Sequence, residues 1–290
     1  MNRSRLLLSA ILCSMMLPAF SAQTEKHYGP VVRQVDHILI ESGDPEALFK
    51  FLAGTLRLPE AWPLSKNPGS TTGGLGAGNI ILEVFRYTGP KSAPPVRMAR
   101  YAGIAFEPYP LANALKEMQT RGIAYDPPQP YVSTLPTGAQ GTLWTTVPLP
   151  AFSRPGMSIF LYQYSPAFLD VAVRRNQLGN RLTLEGGGPL GLQSVIEINV
   201  TTTDLARDSG NWSRLLGTPE PPNRWRAGTG PAIRLVRGPA DAIQALVFKV
   251  ASLEKAKAFL KHDRLLGPVD SNGISLDPGK VQGLSIRLTE

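Results

Sequence analysis

The sequence predicts an α+β protein built from four tandem βαβββ-type modules, paired into two domains. Three observations carry this reading. An apolar strand running straight into a helix start occurs four times, at 33–44, 99–110, 193–204 and 241–252, and internal repeats fix architecture before any local assignment. In each repeat the helix-starting residue (Asp44, Pro110, Asp204, Ser252) lies seven positions after a strand residue: His37, Gly103, Glu197 and Ala245. The 27 prolines and 28 glycines in 290 residues favour many short elements closed by firm turns.

The first module opens with a strand at 35–40. Asp44 caps the helix that follows, and Pro45 occupies its first turn. Leu48, Phe51, Leu52 and Thr55 fall on one helical face. Three more strands bring the chain to Tyr87, the last at 79–85, and residues 90–95 form a linker. The second module repeats the order. A strand at 100–106 precedes a helix striped by Leu111, Leu115 and Met118 and ended by Gly122, then strands near 141–147 and 158–164. The third has a strand at 194–200 and a helix from Asp204 to Leu216. The fourth has a strand at 244–250, a Ser252-capped helix carrying Leu253, Ala256 and Leu260, and a terminal strand at 283–288.

These units divide the chain into a signal peptide (1–22), a first domain of two modules (31–168), a connector (169–190) and a second, degenerate domain (191–290). Arg3 and Arg5, the apolar stretch 6–20 and the small residues Ala19, Ser21 and Ala22 read as a secretory signal, too short for a good membrane span. The expectation is an exported protein, periplasmic or secreted. The only cysteine, Cys13, lies within the signal, so the mature chain offers no disulfide, thiolate metal site or cysteine nucleophile. The formal charge of +8 is spread along the sequence. With export, this argues against a nucleic-acid partner and for a solvated surface.

Two segments carry a family resemblance: Val35-Asp36-His37-Ile38, and Gly73-Gly74-Leu75-Gly76-Ala77-Gly78-Asn79 leading into Ile80-Ile81-Leu82-Glu83-Val84. With the module order, they make the chain resemble the vicinal oxygen chelate superfamily of glyoxalase I, bleomycin-resistance proteins and extradiol dioxygenases, and most of all its glyoxalase-like branch. The resemblance implies cupped mixed sheets with a divalent metal on the cup floor, held by the first and last strands of each module. Strand alternation then sends His37 and Glu83 into the first cup. An imidazole and a carboxylate suit zinc, iron or manganese, so His37 and Glu83 are the expected metal ligands, and Glu83 could double as a catalytic base.

The second module departs from the pattern, with Gly103 at its first-strand position and Tyr162 expected at its last. Gln163 or Glu107 could contribute only in another register. In the third module Glu197 stands at the ligand position, and Arg234 could pair with it instead. His37 reads equally as a structural histidine. Glu83 among apolar neighbours is costly to bury unpaired. Tyr162, Tyr164, Trp144 and Asn79 are the expected pocket residues, with core packing the plainer alternative for the aromatics. The glycines at 73–78 lack the Lys-Ser/Thr ending of a phosphate loop. His262 reads as a solvated charge and His27 as part of a leader.

Two functions follow from the resemblance. One is a metal-dependent lyase, isomerase or dioxygenase acting on a small oxygen-rich molecule. The other is a metal-free periplasmic protein that binds or sequesters a small molecule on the same scaffold. A homodimer is a further expectation.

Overall fold

A computed structural model describes residues 29–89 and 96–290. The proposed signal segment, His27 and the linker at 90–95 lie outside the described residues.

The first module comprises β1 (Val32–Glu41), α1 (Pro45–Lys50), a π-helical turn (Phe51–Thr55), β2 (Glu60–Asn67), β3 (Ser70–Gly76) and β4 (Ile81–Tyr87). The second comprises β5 (Arg100–Pro108), α2 (Leu111–Thr120), β6 (Gln129–Thr134), β7 (Gln140–Pro148) and β8 (Ser158–Tyr164). A helix, α3 (Val171–Leu184), follows. The third module has β9 (Leu192–Thr202), α4 (Leu205–Leu216), β10 (Arg224–Trp225) and β11 (Ala232–Arg237). The fourth has β12 (Ala242–Val250), α5 (Leu253–His262), β13 (Leu266–Asp270), β14 (Gly273–Leu276) and β15 (Ile286–Thr289).

The four expected helix starts are the helix caps. Asp44, Asp204 and Ser252 each accept a hydrogen bond from the backbone N–H three residues on, which satisfies a donor the first turn leaves open. Pro110 has no side chain to do this. Instead Gln163 of β8 accepts from the Leu111 N–H at 2.8 Å, so Gln163 serves a helix end and not a ligand site.

Pairing reproduces one layout in each module, with the first strand parallel to the last: β1 with β4, β5 with β8, β9 with β11 and β12 with β15. Within each domain the two first strands pair antiparallel, β1 with β5 and β9 with β12. The first, second and fourth modules are βαβββ and the third is βαββ, paired as βαβββ-like units. Val35, Ile38, Ile40, Leu82 and Val84 join Leu48 and Leu52 in the buried core, leaving the opposite face to the cup. Pairing of β12 with β5 at Ile243 and Tyr101 makes the two halves one continuous sheet. Arg154 reinforces the junction by donating to Asp208 at 2.8 Å and Asp241 at 3.1 Å.

The segment expected as a connector is mostly the helix α3, capped by Asp170. Its polar, Arg-rich composition hid the helix, because only Leu178 and Leu182 are buried from it. The strand β6 is not among those the sequence pattern indicates. All but one of its residues are exposed, so it shows no apolar run.

Candidate functional site

The site lies in the first cup, between the two modules. A cavity of about 750 Å³ opens there, walled by His37, Leu39 and Glu41 from β1, Glu83, Phe85 and Tyr87 from β4, and Phe160 and Tyr162 from β8. Alternation along β1 and β4 places these side chains together, since residues two apart share a face.

His37 is buried, and its neighbour Asp36 is too. Consecutive strand residues normally point to opposite faces, which is where alternation placed Asp36. The strand is irregular here: Val35 pairs with Phe106 and His37 with Ala105, so Asp36 is the extra residue of a β-bulge. Bulges re-aim side chains, and here Asp36 Oδ2 comes within 2.8 Å of His37 Nδ1. A carboxylate can only accept, so Nδ1 carries the hydrogen.

The other ring nitrogen, Nε2, faces the cup, where Glu83 Oε2 lies 3.5 Å away. The other oxygen of Glu83 accepts from the Thr72 hydroxyl at 2.8 Å. Burial pushes the Asp36 carboxyl up. The hydrogen bond with His37, together with the charges of Arg174 and Arg175, outweighs this and holds it below its ordinary value. Both arginines come from α3 and lie 3.7 and 3.6 Å from Asp36 Oδ1.

Aromatic rings surround the pair. Tyr162 meets the His37 ring edge-on at 5.0 Å, and Trp144 lies nearly parallel to Tyr162 at 5.8 Å. Tyr131 stacks on Trp144 at 4.4 Å. Burial drives the Tyr162 phenol far upward, helped by Tyr164, Glu83 and Asp36, so it stays a protonated hydroxyl at neutral pH.

The expected pocket residues thus separate. Trp144 and Tyr162 line the cavity. Tyr164 sits behind Tyr162, with the Arg174 guanidinium 4.7 Å over its ring. Asn79 is outside the cup: its amide donates to the Val195 carbonyl and its oxygen accepts from the Val195 N–H, both at 2.9 Å. It clamps the second domain's first strand to the first domain. The loop between β3 and β4 that carries Asn79 faces away from the cavity, which its sequence next to Glu83 did not reveal.

Strand pairing also fixes the equivalences among modules. Counting two residues past His37, Gly103, Glu197 and Ala245, the facing residues of the last strands are Glu83, Phe160, Arg234 and Arg287. Phe160, and not Tyr162, is therefore the counterpart of Glu83. The expected register was displaced by two residues, which preserves the face and so left the alternation test blind to the error.

No donor faces the first pair from the second module's equivalent positions. A side chain could not be accommodated at Gly103 either, because an added Cβ would lie 2.5 Å from the Ser158 carbonyl oxygen. Glu107, the other alternative considered, is bound by Arg175 at 2.6 Å and Gln34 at 3.0 Å. In the second domain Glu197 accepts from Arg234 at 2.7 Å and Arg224 at 3.0 Å. His262 is exposed beside Asp263.

The donor chemistry can be set against the metal that the resemblance implies. Catalytic zinc and the facial-triad irons take three protein ligands, whereas His37 and Glu83 supply two. Among the described residues no group of three or more His, Cys, Asp or Glu could hold a metal ion. The residues present do not fit a resident catalytic metal of those kinds.

No family model matches the chain, and no curated protein matches it. Solved structures do. A hypothetical protein from Staphylococcus aureus aligns with a TM-score of 0.57 at 11% identity, covering 88% of this chain and 98% of that one. An extradiol ring-cleaving dioxygenase from Brevibacterium fuscum aligns at 0.55 and 15% identity, covering 90% and 72%. Homoprotocatechuate 2,3-dioxygenase from Arthrobacter globiformis aligns at 0.54 and 12%, covering 90% and 80%. At such identities the likeness is one of fold, and it establishes a fold of the vicinal oxygen chelate type across most of the chain. Activity has to be argued from the site.

Proposed function

We propose that this chain is a glyoxalase-like small-molecule enzyme of the lyase or isomerase type, with His37 as general base in the first cup. The observation that carries this is the convergence of two acceptors. With Nδ1 committed to Asp36, His37 Nε2 and Glu83 Oε2 face one another at 3.5 Å on the cavity wall. In the neutral imidazole both atoms are acceptors, and a bound molecule with an O–H, N–H or acidic C–H would supply the hydrogen between them.

Transfer of that proton to Nε2 produces an imidazolium flanked by the carboxylates of Asp36 and Glu83, both of which stabilise the charge. Returning the proton to another atom of the same molecule completes an isomerisation. Expelling a leaving group completes an elimination. In this reading the neutral Tyr162 hydroxyl, on the cavity wall, donates to an oxygen that gains charge. No step is routed through a metal, and the two donors present do not support the dioxygenase alternative, whose iron takes three protein ligands.

The test is solvent deuterium exchange into a panel of small carbonyl and hydroxyl compounds, followed by NMR, with His37→Gln and Glu83→Gln beside the wild type. Exchange abolished by His37→Gln supports the reading. Near-stoichiometric metal in the wild type, lost in a His37→Ala/Glu83→Ala double variant and required for turnover, overturns it in favour of metal catalysis.

A second reading, a binding or sequestering protein, is favoured by the aromatic lining of the cavity. A co-purified ligand held equally by His37→Ala, with no exchange across the panel, would select it.

We also propose export of the mature chain, on the signal-like composition of residues 1–22, a small molecule as its partner in place of nucleic acid, and a homodimer as its assembly. Among the described residues no helix is long and apolar enough to cross a membrane. Fractionation with N-terminal sequencing tests the first, and light scattering the last.

A further inference from the structure

The first cup combines an acidic wall with an aromatic one inside a protein of formal charge +8. Its charged lining residues are Glu41, Glu83, Asp126 and Arg100. Arg100 is already engaged, because its Nε and Nη2 both donate to Glu41 Oε2, at 2.8 and 2.6 Å. That leaves Glu83 and Asp126, and among the described residues no arginine or lysine forms an ion pair with either. The surplus of the cavity is therefore negative, opposite to the chain as a whole.

Around Glu83 the wall is π-rich, with Phe85 and Tyr87 on its own strand and Phe160, Tyr162 and Trp144 across the cavity. Aromatic faces attract cations through their quadrupole, and carboxylates with no arginine or lysine partner add direct Coulomb attraction focused by the low-dielectric walls. Tyr131 and Tyr162 already stack on Trp144, so the surface left for a bound ring is the cavity-facing part of Phe160, Tyr162 and Trp144.

We propose that the cup selects a planar aromatic molecule bearing a protonated amine. The ammonium sits at the His37–Glu83 pair, where its N–H groups meet both acceptors, and the ring lies against Trp144, Tyr162 and Phe160. This rests on the reading that the first cup is the functional site, and it names the ligand class that reading left open.

The test uses three probes sharing one ring system: 1-naphthylmethylammonium, 1-naphthalenemethanol and 1-naphthoate. Binding to the full mature chain is measured by calorimetry and by quenching of tryptophan fluorescence. The ammonium should bind about tenfold or more tighter than the alcohol, the carboxylate should bind weakest, and added salt should narrow the gap. Glu83→Gln should erase most of the preference. Asp126→Asn, at an exposed position, should reduce it partially and guards against a folding defect at position 83.

Equal binding of ammonium and alcohol, tighter binding of the carboxylate, or binding of none of the three overturns the ligand class. The outcome is separable from the proton-transfer reading. Loss of deuterium exchange in His37→Gln reports on the base, whereas the ranking of the three probes reports on the charge of the wall.

Discussion

The carboxylate of Asp36 lies 2.8 Å from the ring nitrogen Nδ1 of His37, its immediate neighbour in the same strand. A regular strand forbids this contact, and a single extra residue in the β1–β5 pairing permits it. The bulge turns a carboxylate that alternation would place behind the sheet into the group that fixes the histidine's tautomer. Its cost is a buried charge, which Arg174 and Arg175 of α3 offset from the other side. The helix between the domains thereby supports the His37–Glu83 pair without lining the cavity.

Asp36→Asn should therefore destabilise the protein by about 3–5 kcal/mol at neutral pH, as removal of one partner from a buried charge cluster does. The effect should depend on pH. The folded carboxyl is held below its ordinary value of 3.8, so the stability it contributes is present above that value and lost as pH falls through the folded value. Urea titrations at several pH values should show wild type and variant converging below 3.8.

Phe160→His should create a metal site where the natural chain has two donors. Phe160 is the register counterpart of Glu83, and its ring centre lies 6.0 Å from that of His37. A third donor there would complete the set that catalytic zinc requires. Elemental mass spectrometry after zinc loading should find near-stoichiometric metal in the variant and markedly less in the wild type.

Gly103→Ala should destabilise the first domain by about 1–3 kcal/mol, the usual range for forced overpacking. The new methyl would meet the Ser158 carbonyl oxygen at 2.5 Å and Leu39 Cδ1 at 3.1 Å, so the β5–β8 pairing has to shift. A lowered melting temperature with reduced probe affinity is the expected pair of results. An unchanged melting temperature would show that the pairing tolerates the methyl.

Glu197→Ala should act on the second domain alone. It leaves Arg224 and Arg234 without the carboxylate both now share, at a cost of about 1–3 kcal/mol. Arg224 and Arg226 keep their contacts with Glu220, which limits the damage. Hydrogen exchange should accelerate in β9 and β11, while ligand affinity in the first cup stays at the wild-type value.

What could be read in the chain follows from how far each determinant reaches. Asp44, Asp204 and Ser252 act on the first turn of their own helices, so sequence alone located those helix starts and the seven-residue offset that relates the modules. Alternation in 37–41 and 83–87 is local too, and it placed His37 and Glu83 on cavity-facing sides before any pairing was known. The second module's register was not legible, because a slip of two residues leaves every side chain on the same face, and only the β5–β8 ladder puts Phe160 opposite Glu83. Asn79 looked like a pocket residue because of its place beside β4, yet its partner Val195 is far along the chain.

By itself the sequence determined the repeated modules, their caps and the two acceptors of the cup, since all of these depend on neighbours within a few residues. Only the tertiary structure decided that Asp36 turns toward His37, that Arg174 and Arg175 steady it, and that the second module brings no third donor. Each of those depends on which distant strand or helix lies alongside, and the physical chemistry of a local stretch carries no record of that.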